Sequence, residues 1–330
     1  MKPVDLLGCG AVNLDLIYRL PVSFALWDEL PPAGSELLVE PALQQAVEKA
    51  LEQVTPQRSG GGQAANAVYA LARMGFDAAM LGRVGADDEG DWLLKDLAPA
   101  NTRCVVRQGT SGRVFVLLDE SGERRNLVLP AANDEFSPAD LPRHPPRSRF
   151  AFFTSFVGDG PLAAQLELFQ RLSAETEIAF DPRELYARKG VKRFIPLLQR
   201  CSFLFATERE LELLCGIPTD EAISFLLNVG VSLVVCKMGS RGARLIGKHV
   251  DLFVPPLPAE VVDVTGAGDL FAAGFLAGLL EDVGLEAAGR LAAWAASCGI
   301  TGVGRSAYPT AEQWRERLAE EEHGADGAWQ

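Results

Sequence analysis

The residues with the clearest chemical signature lie around Asp269. The turn Thr265-Gly266-Ala267-Gly268 precedes it and an apolar run to Leu280 follows, which predicts a strand ending at Val261 and Val262, a tight turn and a helix start. A helix start offers unpaired N–H groups and a positive dipole end, so an anion can approach this small-residue turn closely. A carboxylate beside an anion suits a base that takes a proton from a hydroxyl attacking phosphorus. The alternative interpretation is a capped helix after an ordinary glycine turn.

A second set of polar residues ends the first apolar run of the chain. Residues 5–16 are predicted to form one buried strand, and Asn13 and Asp15 lie at its end, two residues apart. Side chains at this spacing on a strand point to the same side. The carboxyl end of a strand in an α/β sheet is a ligand position, whereas the alternative is the start of a turn.

A second glycine-rich stretch precedes another predicted helix. Gly60, Gly61 and Gly62 lie before a small-residue helix predicted at 65–74, and they allow a ligand to approach the backbone. Asn66 lies within that helix, where asparagine has a poor propensity. Its amide can bind a hydroxyl group.

The elements that must position these residues alternate along most of the chain. Strand and helix patterns succeed one another from about residue 136, which predicts a parallel sheet with helices on both faces. Residues 103–130 differ, because three short β runs, the first at 105–106, follow each other without an intervening helix and predict an inserted antiparallel sheet. A connection at 21–58 contains one amphipathic helix at 41–54. Residues 319–330 are polar and acidic and are expected to fray.

Composition limits the classes of function. The chain has 330 residues and a net charge of −13, which argues against binding to nucleic acid or to an acidic membrane surface. Its six cysteines form no Cys-x-x-Cys pair and only three histidines are present, so a zinc site is not expected. Neither a signal peptide nor an apolar run long enough to span a membrane is evident. These features predict a cytoplasmic protein with buried free thiols.

Taken together, the motifs resemble those of the ribokinase, or PfkB, family of carbohydrate kinases, over nearly the whole chain. The similarity rests on these stretches: Asn13-x-Asp15, 61–75, 82–90, 119–133 and Asp263-Val264-Thr265-Gly266-Ala267-Gly268-Asp269. The resemblance implies one kinase domain over 1–330, a three-layer α/β/α sandwich with a mainly parallel central sheet. It also implies a small β-sheet lid formed by segments at about 15–40 and 103–130.

The resemblance assigns a role to each residue of the predicted site. The amides of Gly266, Ala267 and Gly268 would hold the γ-phosphate of ATP, and Asp269 would be the base. Sugar hydroxyls would be bound by Asn13, Asp15, Gly61, Gly62 and Asn66. The ATP-binding residues would be Thr207, Glu210, Lys237, Gly239 and Gly242. Glu210 would place Mg²⁺ through water, and Asp263 and Thr265 would bind a monovalent cation such as K⁺.

The chain departs from the family pattern at several of these positions. Thr207 stands where the family has asparagine, and Lys237 stands where many relatives have threonine. Lys237 would either bring a positive charge to the phosphates or solvate a loop. Gln63 does not identify the sugar, because other subgroups carry lysine, glutamate or serine there.

The leading hypothesis is ATP-dependent phosphorylation of a sugar hydroxymethyl group. Whether two copies pair through their lids as a homodimer is left open by the sequence. The alternative within the same chemistry is an adenosine-like nucleoside kinase, since Phe24 and Trp27 in the long 21–58 connection could stack a base, although packing of the lid is favoured. A third hypothesis is a sugar-binding regulator without catalysis. The motif at Asp269 argues against it, and Thr207 mildly favours it.

Overall fold

The computed structural model describes residues 2–30, 36–38, 40–120 and 124–324. The strands are β1 Val4–Cys9, β2 Asn13–Arg19, β3 Glu36–Leu38, β4 Gln57–Gly61, β5 Ala78–Val84, β6 Asn101–Arg107, β7 Gly112–Leu118, β8 Arg124–Leu129, β9 Ser148–Thr154, β10 Glu177–Asp181, β11 Cys201–Thr207, β12 Leu233–Lys237, β13 Ala243–Gly247 and β14 Val250–Val254. The α-helices are α1 Pro41–Leu51, α2 Gln63–Arg73, α3 Asp88–Asp96, α4 Asp159–Arg171, α5 Arg183–Ala187, α6 Ile195–Leu198, α7 Glu208–Cys215, α8 Thr219–Val229, α9 Ala267–Leu280, α10 Leu285–Gly299 and α11 Ala311–Gly324.

A large sheet forms the centre of the molecule. Its strand order is β14-β13-β12-β11-β10-β9-β1-β5-β6, and its strands run parallel except for the antiparallel pairing of β13 with β12 and with β14. Successive side chains on a strand point to opposite faces, so Leu6 joins the core beneath α2, α9 and α10, while Leu7 joins the core beneath α4, α7 and α8. This arrangement confirms the predicted α/β/α sandwich.

The second sheet, here called the small sheet, contains β2, β3, β4, β7 and β8 in the order β3-β8-β7-β2-β4. Its strand β2 comes from the first apolar run of the chain, so the prediction of one strand at 5–16 is wrong. The run divides between the two sheets because the backbone N–H of Val12 donates to Oδ1 of Asn133, at 2.9 Å, and its carbonyl accepts from Nδ2 of Asn133, at 3.1 Å. These bonds replace the strand ladder at that point.

Two further strand predictions need correction. The β run at 105–106 belongs to β6, which pairs in parallel with β5 of the large sheet, because helix α3 connects the two strands as a crossover. Val261 and Val262 do not end a strand: their side chains are 61% and 49% exposed, and the backbone N–H of Val262 bonds to the carbonyl of Ile300 outside any sheet.

Helix α11 corrects the prediction that the chain frays from residue 319. The helix continues to Gly324, and buried Glu321 accepts a hydrogen bond from Nε of Arg290 at 2.7 Å. This carboxylate also pairs with Arg317 one turn earlier in the same helix. Residues 325–330 lie outside the described residues.

Candidate active site

A cavity of about 240 Å³ lies between the small sheet and the carboxyl ends of the large sheet's strands. It brings together eight of the residues predicted from sequence: Asn13, Asp15, Gly62, Asn66, Glu210, Thr265, Gly266 and Asp269. Ligands of open α/β sheets bind at this end of the strands. The structure therefore gathers residues from widely separated parts of the chain around one space.

The turn before α9 has the geometry of an anion-binding helix start. Gly266 adopts a left-handed conformation, with φ of 78°, and no side chain caps the helix that begins at Ala267. A Cβ atom on Gly266 would lie 2.5 Å from the hydroxyl oxygen of buried Tyr308, so glycine is required for space as well as for conformation. The N–H of Ala267 is 3.3 Å from the carbonyl of Val264, a long bond that leaves the first turn poorly satisfied.

Asp269 is the third residue of that helix and is only 2% exposed. Its Oδ2 accepts a hydrogen bond from Nδ2 of Asn66 at 2.8 Å. Its Oδ1 accepts none from the described residues, although a guanidinium nitrogen of Arg183 lies 3.7 Å away. One oxygen of the carboxylate is thus held, and the other has no hydrogen-bond partner among the described residues.

Arg305 fixes the orientation of the Asn66 amide. Its Nε donates to Oδ1 of Asn66 at 3.0 Å, which directs the amide nitrogen toward Asp269, and its Nη1 donates to Asp96 at 2.7 Å. A Cβ atom on Gly60 would lie 2.1 Å from the Asp96 carboxylate and 2.5 Å from the guanidinium, so this glycine makes room for the ion pair. The sequence analysis missed Arg305, since it lies 239 residues from Asn66 and belongs to no motif.

Asn13 and Asp15 lie on β2 beside the glycines of β4. Oδ1 of Asn13 accepts from Nδ2 of Asn133 at 2.8 Å, so the Asn133 side chain holds both Asn13 and the preceding residue. Asn13 pairs with Gly61 across the sheet, and a Cβ atom on Gly61 would lie 2.2 Å from the Asp15 carboxylate. The first two glycines of the 60–62 stretch are therefore strand residues that make room for acidic side chains, a role that the sequence pattern did not show.

Charged groups concentrate on the side of the cavity near β10 and β12. Nζ of Lys237 donates to Oδ2 of the fully buried Asp181 at 2.6 Å. Burial would raise the pKa of Glu210, but Lys237 and Arg183 outweigh it and hold that pKa below its usual range. Glu210 is consequently a carboxylate at neutral pH despite being mostly buried.

The departures from the family pattern have structural explanations. Thr207 caps helix α7: its Oγ1 accepts from the N–H of Glu210, at 3.2 Å, and its own N–H donates to Glu210 Oε2 at 2.7 Å. This reciprocal capping box stabilises the helix start with threonine as it would with asparagine.

Gly239 and Gly242, two of the residues predicted to bind ATP, have φ of 60° and 91° and bracket a 3₁₀ turn after β12.

The small sheet reaches the anion-binding turn through Arg124. This residue of β8 lines the cavity, and its Nη1 donates to Oγ1 of Thr265. The same hydroxyl donates to Oδ1 of Asp263 at 2.6 Å, and that carboxylate oxygen also accepts the N–H of Thr265 at 2.9 Å. The Asp263 carboxylate thus serves to shape the turn.

Comparison with known proteins places these features in a family. The sequence pattern of the pfkB family carbohydrate kinases matches residues 37–311. The chain belongs to this family. It is 30% identical over 324 residues to an ATP-dependent ribose-1-phosphate kinase from Halopiger xanaduensis, with 96% of this chain and 99% of the relative covered. It is 28% identical to a deoxyribokinase from Salmonella typhi, with 78% and 87% covered.

Solved structures agree with the family. Adenosine kinase from Sinorhizobium meliloti superposes with a TM-score of 0.83 at 23% identity, covering 96% of this chain and 100% of that one. A ribokinase from Thermotoga maritima gives a TM-score of 0.74 at 21% identity, with 96% and 99% covered. The fold of this PfkB protein is thus the ribokinase fold, and the activity is that of a phosphotransferase with a hydroxyl acceptor.

Gly268 lies near the cavity, whereas Phe24 and Trp27, the residues predicted as a possible base-stacking pair, lie apart from it. Gly268 adjoins the cationic side, since a Cβ atom there would lie 3.4 Å from Nζ of Lys237. Phe24 and Trp27 contact each other edge to face, 5.5 Å between ring centroids, and the Arg125 guanidinium covers Trp27 at 4.6 Å. Neither ring lines the cavity, so both serve packing in this structure.

Two searches of the described residues were negative. Within 2–30, 36–38, 40–120 and 124–324, no group of three His, Cys, Asp or Glu side chains is arranged to hold a metal ion. None of the helices in these ranges has the length and apolar character that a bilayer crossing requires.

Proposed function

We propose that this PfkB protein is an ATP-dependent sugar kinase that transfers the γ-phosphoryl group to a sugar hydroxyl. The supporting observation is Asp269, a buried carboxylate in the first turn of α9 whose Oδ1 accepts no hydrogen bond from the described residues. A base needs such an oxygen, directed into a cavity beside an anion-binding helix start. The other oxygen is held by Asn66, so the carboxylate loses little freedom when a substrate binds.

The proposed reaction uses residues on both sides of the cavity. Asn13, Asp15 and the backbone at Gly62 bind sugar hydroxyls, which carboxylate and amide groups recognise well. The acceptor hydroxyl gives its proton to Oδ1 of Asp269 as its oxygen bonds to the γ-phosphorus. The bond from that phosphorus to the β–γ bridging oxygen breaks, and ADP leaves with the bridging oxygen. N–H groups at 266–268 stabilise the charge on the phosphoryl oxygens.

We also propose the ligands of the donor side. Mg²⁺ that arrives with nucleotide phosphates needs only one or two carboxylates and keeps several waters, and the ionised Glu210 fits that requirement. Lys237 and the turn bounded by Gly239 and Gly242 would lie along ATP. Asp263 and Thr265 remain the proposed contacts for a monovalent cation. ATP as co-substrate favours a cytoplasmic location.

The choice of acceptor rests on the walls of the cavity. Val114, Val116 and Val128 of the small sheet line it, and Phe24 and Trp27 do not. Phe156 also lines it, but its ring is buried against Phe136, which favours a sugar-sized acceptor over a stacked base. The ribose-1-phosphate kinase and deoxyribokinase among the relatives favour a pentose or its phosphate. A nucleoside is the second candidate, because the adenosine kinase from Sinorhizobium meliloti shares the fold over its whole length.

ADP release during incubation with MgATP tests the proposal. The panel contains ribose, deoxyribose, ribose 1-phosphate, fructose, adenosine and inosine, with the Asp269→Asn variant as control. A sugar or sugar phosphate with the highest kcat/KM supports the proposal, and a nucleoside in that position supports the second candidate. Sugar binding by calorimetry without turnover of any substrate would indicate a regulator instead.

Pairing of two copies through the small sheet is a separate proposal. β3 is the edge strand of that sheet, and Leu37 and Leu38 on it are 37% and 47% exposed. Exposed apolar edge strands tend to be covered by another chain. Light scattering on the wild type and on the Leu38→Lys variant measures the pairing, which the charge is expected to weaken.

A further inference from the structure

Arg183 has a strained backbone at the edge of the proposed active site. It follows β10 with φ of 49°, in the left-handed region, which residues with a Cβ atom occupy at a cost. Its N–H is 3.3 Å from Oδ1 of Asp181, a bond that closes the turn after the strand. Because such strain persists mainly where a side chain must take a particular direction, the position of the guanidinium is informative.

The guanidinium lies between the predicted base and the anion-binding turn. Nη2 is 3.7 Å from Oδ1 of Asp269, and a Cβ atom on Gly268 would lie 3.3 Å from Nη1. The side chain also lines the cavity and is 27% exposed. Its distance to Asp269 exceeds that of a hydrogen bond, so the pair is held by charge rather than by a directed bond.

Lys237, the other cation on this side of the cavity, has a short ion pair. Lys237 is fully engaged, since its ammonium group donates to the buried Asp181 at 2.6 Å. Moving it would leave a buried carboxylate without its partner, which is costly. Arg183 is partly exposed and its ion pair with Asp269 is long, so turning the guanidinium away from Asp269 breaks no short bond to that carboxylate.

We propose that Arg183 is a catalytic residue that binds the transferring phosphoryl group and releases Asp269 when it does so. The inference rests on the proposed kinase function. In the free enzyme the guanidinium pairs with Asp269. When the γ-phosphate of ATP occupies the turn at 266–268, the guanidinium turns to the phosphate oxygens. Two of these oxygens carry negative charge and can each accept a hydrogen bond from the planar guanidinium.

The step then proceeds with Arg183 on the phosphoryl oxygens. The acceptor hydroxyl loses its proton to Oδ1 of Asp269, the oxygen–phosphorus bond forms, and the bond to the bridging oxygen of ADP breaks. Arg183 gains and loses no proton, since guanidinium stays charged in proteins. Its contribution is electrostatic and is largest when charge is spread over the phosphoryl oxygens in the transition state.

The alternative is that Arg183 only holds Asp269 in place. The left-handed backbone separates the two possibilities, because glycine adopts this conformation without strain. Relief of the backbone strain and loss of the cation beside Asp269 and Glu210 act in opposite directions on stability. Arg183→Gly should therefore unfold close to the wild-type temperature, while its kcat falls by about a thousandfold, as for other arginines that stabilise phosphoryl transfer. The KM for ATP should change less than threefold.

The experiment compares Arg183→Gly, Arg183→Lys and the control Arg193→Ala with the wild type, using the best substrate of the panel. Arg193 pairs with Asp159 on the surface, so its removal should leave kcat within twofold. Free guanidine at millimolar concentration should restore part of the activity of Arg183→Gly and none to Arg193→Ala. Lysine should restore little, because it offers a single point charge.

A second measurement is independent of turnover. ADP with aluminium fluoride imitates the transferring phosphoryl group, so Arg183→Gly should bind this complex at least thirtyfold more weakly while binding ADP alone as the wild type does. Equal affinity of both proteins for the complex, or a kcat of the glycine variant within fivefold of the wild type, would overturn the role of Arg183. An inactive wild type that still shows the affinity difference would contradict the proposed sugar kinase function but not Arg183.

Discussion

The amide nitrogen of Asn66 lies 2.8 Å from Oδ2 of Asp269, although 203 residues separate the two in the sequence. Helix α2 carries the amide and helix α9 carries the carboxylate, so the two glycine-rich helix starts meet at the proposed base. Arg305 and Asp96 determine which end of the amide faces Asp269. The proposed base is thus positioned by a chain of polar contacts that begins at Asp96, the last residue of α3.

Replacing the proposed base, Asp269, should abolish transfer without removing the donor site. Asp269→Asn retains a group that accepts from Asn66, so the fold should persist, while kcat falls by roughly 10²–10⁴-fold because the proton acceptor is lost. The dissociation constant for ATP, measured by calorimetry, should change less than threefold. A kcat within tenfold of the wild type would contradict the assignment of Asp269.

Arg305→Lys tests the positioning chain. Lysine can still pair with Asp96 but cannot hold both that carboxylate and Asn66, so the amide is free to present its oxygen to Asp269. We expect kcat to fall about tenfold and stability to fall by about 2 kcal/mol, less than for breaking a fully buried pair. Arg290→Lys, in the ion pair with Glu286, is the matched control. Unchanged kcat in Arg305→Lys, measured beside unchanged sugar KM, would exclude a positioning role.

Gly61→Ala should affect the sugar side alone. The added Cβ would lie 2.2 Å from Oδ1 of Asp15, so this carboxylate must move from its position in the cavity. We expect the KM for the sugar to rise at least tenfold and the KM for ATP to stay within twofold. Gly284→Ala is the control, because a Cβ atom there meets no atom within 4 Å. Equal changes in both KM values would count against Asp15 as a sugar ligand.

The double variant Asp181→Asn with Lys237→Met should alter the pH dependence of ATP use. Lys237 and Arg183 hold the pKa of Glu210 below its usual range against the effect of burial. Without the Lys237 charge, the effect of burial on the pKa of Glu210 is opposed less strongly, so this pKa rises. The carboxylate is therefore protonated at a higher pH than in the wild type. The KM for MgATP is measured from pH 5 to 8. As pH is lowered, it should begin to rise at a higher pH in the double variant than in the wild type.

The same shift in pKa has a consequence for the free energy of unfolding. A carboxyl group whose pKa is lowered by folding stabilises the protein above its ordinary pKa, and that contribution is lost as pH falls through the lowered value. In the double variant the pKa of folded Glu210 lies closer to its ordinary value or above it, so the contribution shrinks or becomes a cost at neutral pH that is relieved as pH falls. Urea unfolding at pH 7 and pH 5 measures the difference. An identical pH profile for both proteins would show that the Lys237–Asp181 pair does not govern the pKa of Glu210.

The sequence predicted the parts of the site that have a local signature. Two glycine-rich turns before helices, and polar residues after a buried strand, follow from short-range backbone physics, and the structure places these residues around one cavity. The alternation of strand and helix also predicted the large sheet. The run at 5–16 was misjudged because a side chain from residue 133 interrupts its ladder, which hydrophobicity alone does not indicate.

Arg183 and Arg305 could not be found in the same way. Each is an arginine in a segment without periodicity or motif, and each matters because of a residue that tertiary folding brings near it. The exposed valines at 261 and 262 show the converse, since an apolar run predicted a strand where the chain instead crosses the surface. Long-range contacts and solvent exposure are the information that a single sequence lacks.

The interruption between β1 and β2 at residues 10–12 places the proposed acceptor-binding residues and the proposed base on different parts of the fold. Asn13 and Asp15 belong to a strand of the small sheet, whereas Asp269 belongs to a helix packed on the large one. Under the proposed function, substitutions in the small sheet can alter which acceptor is used while the transfer machinery stays intact. Related kinases can therefore evolve different acceptor specificities through changes in the small sheet alone. Grafting that sheet from one relative onto another should transfer the acceptor specificity of the first.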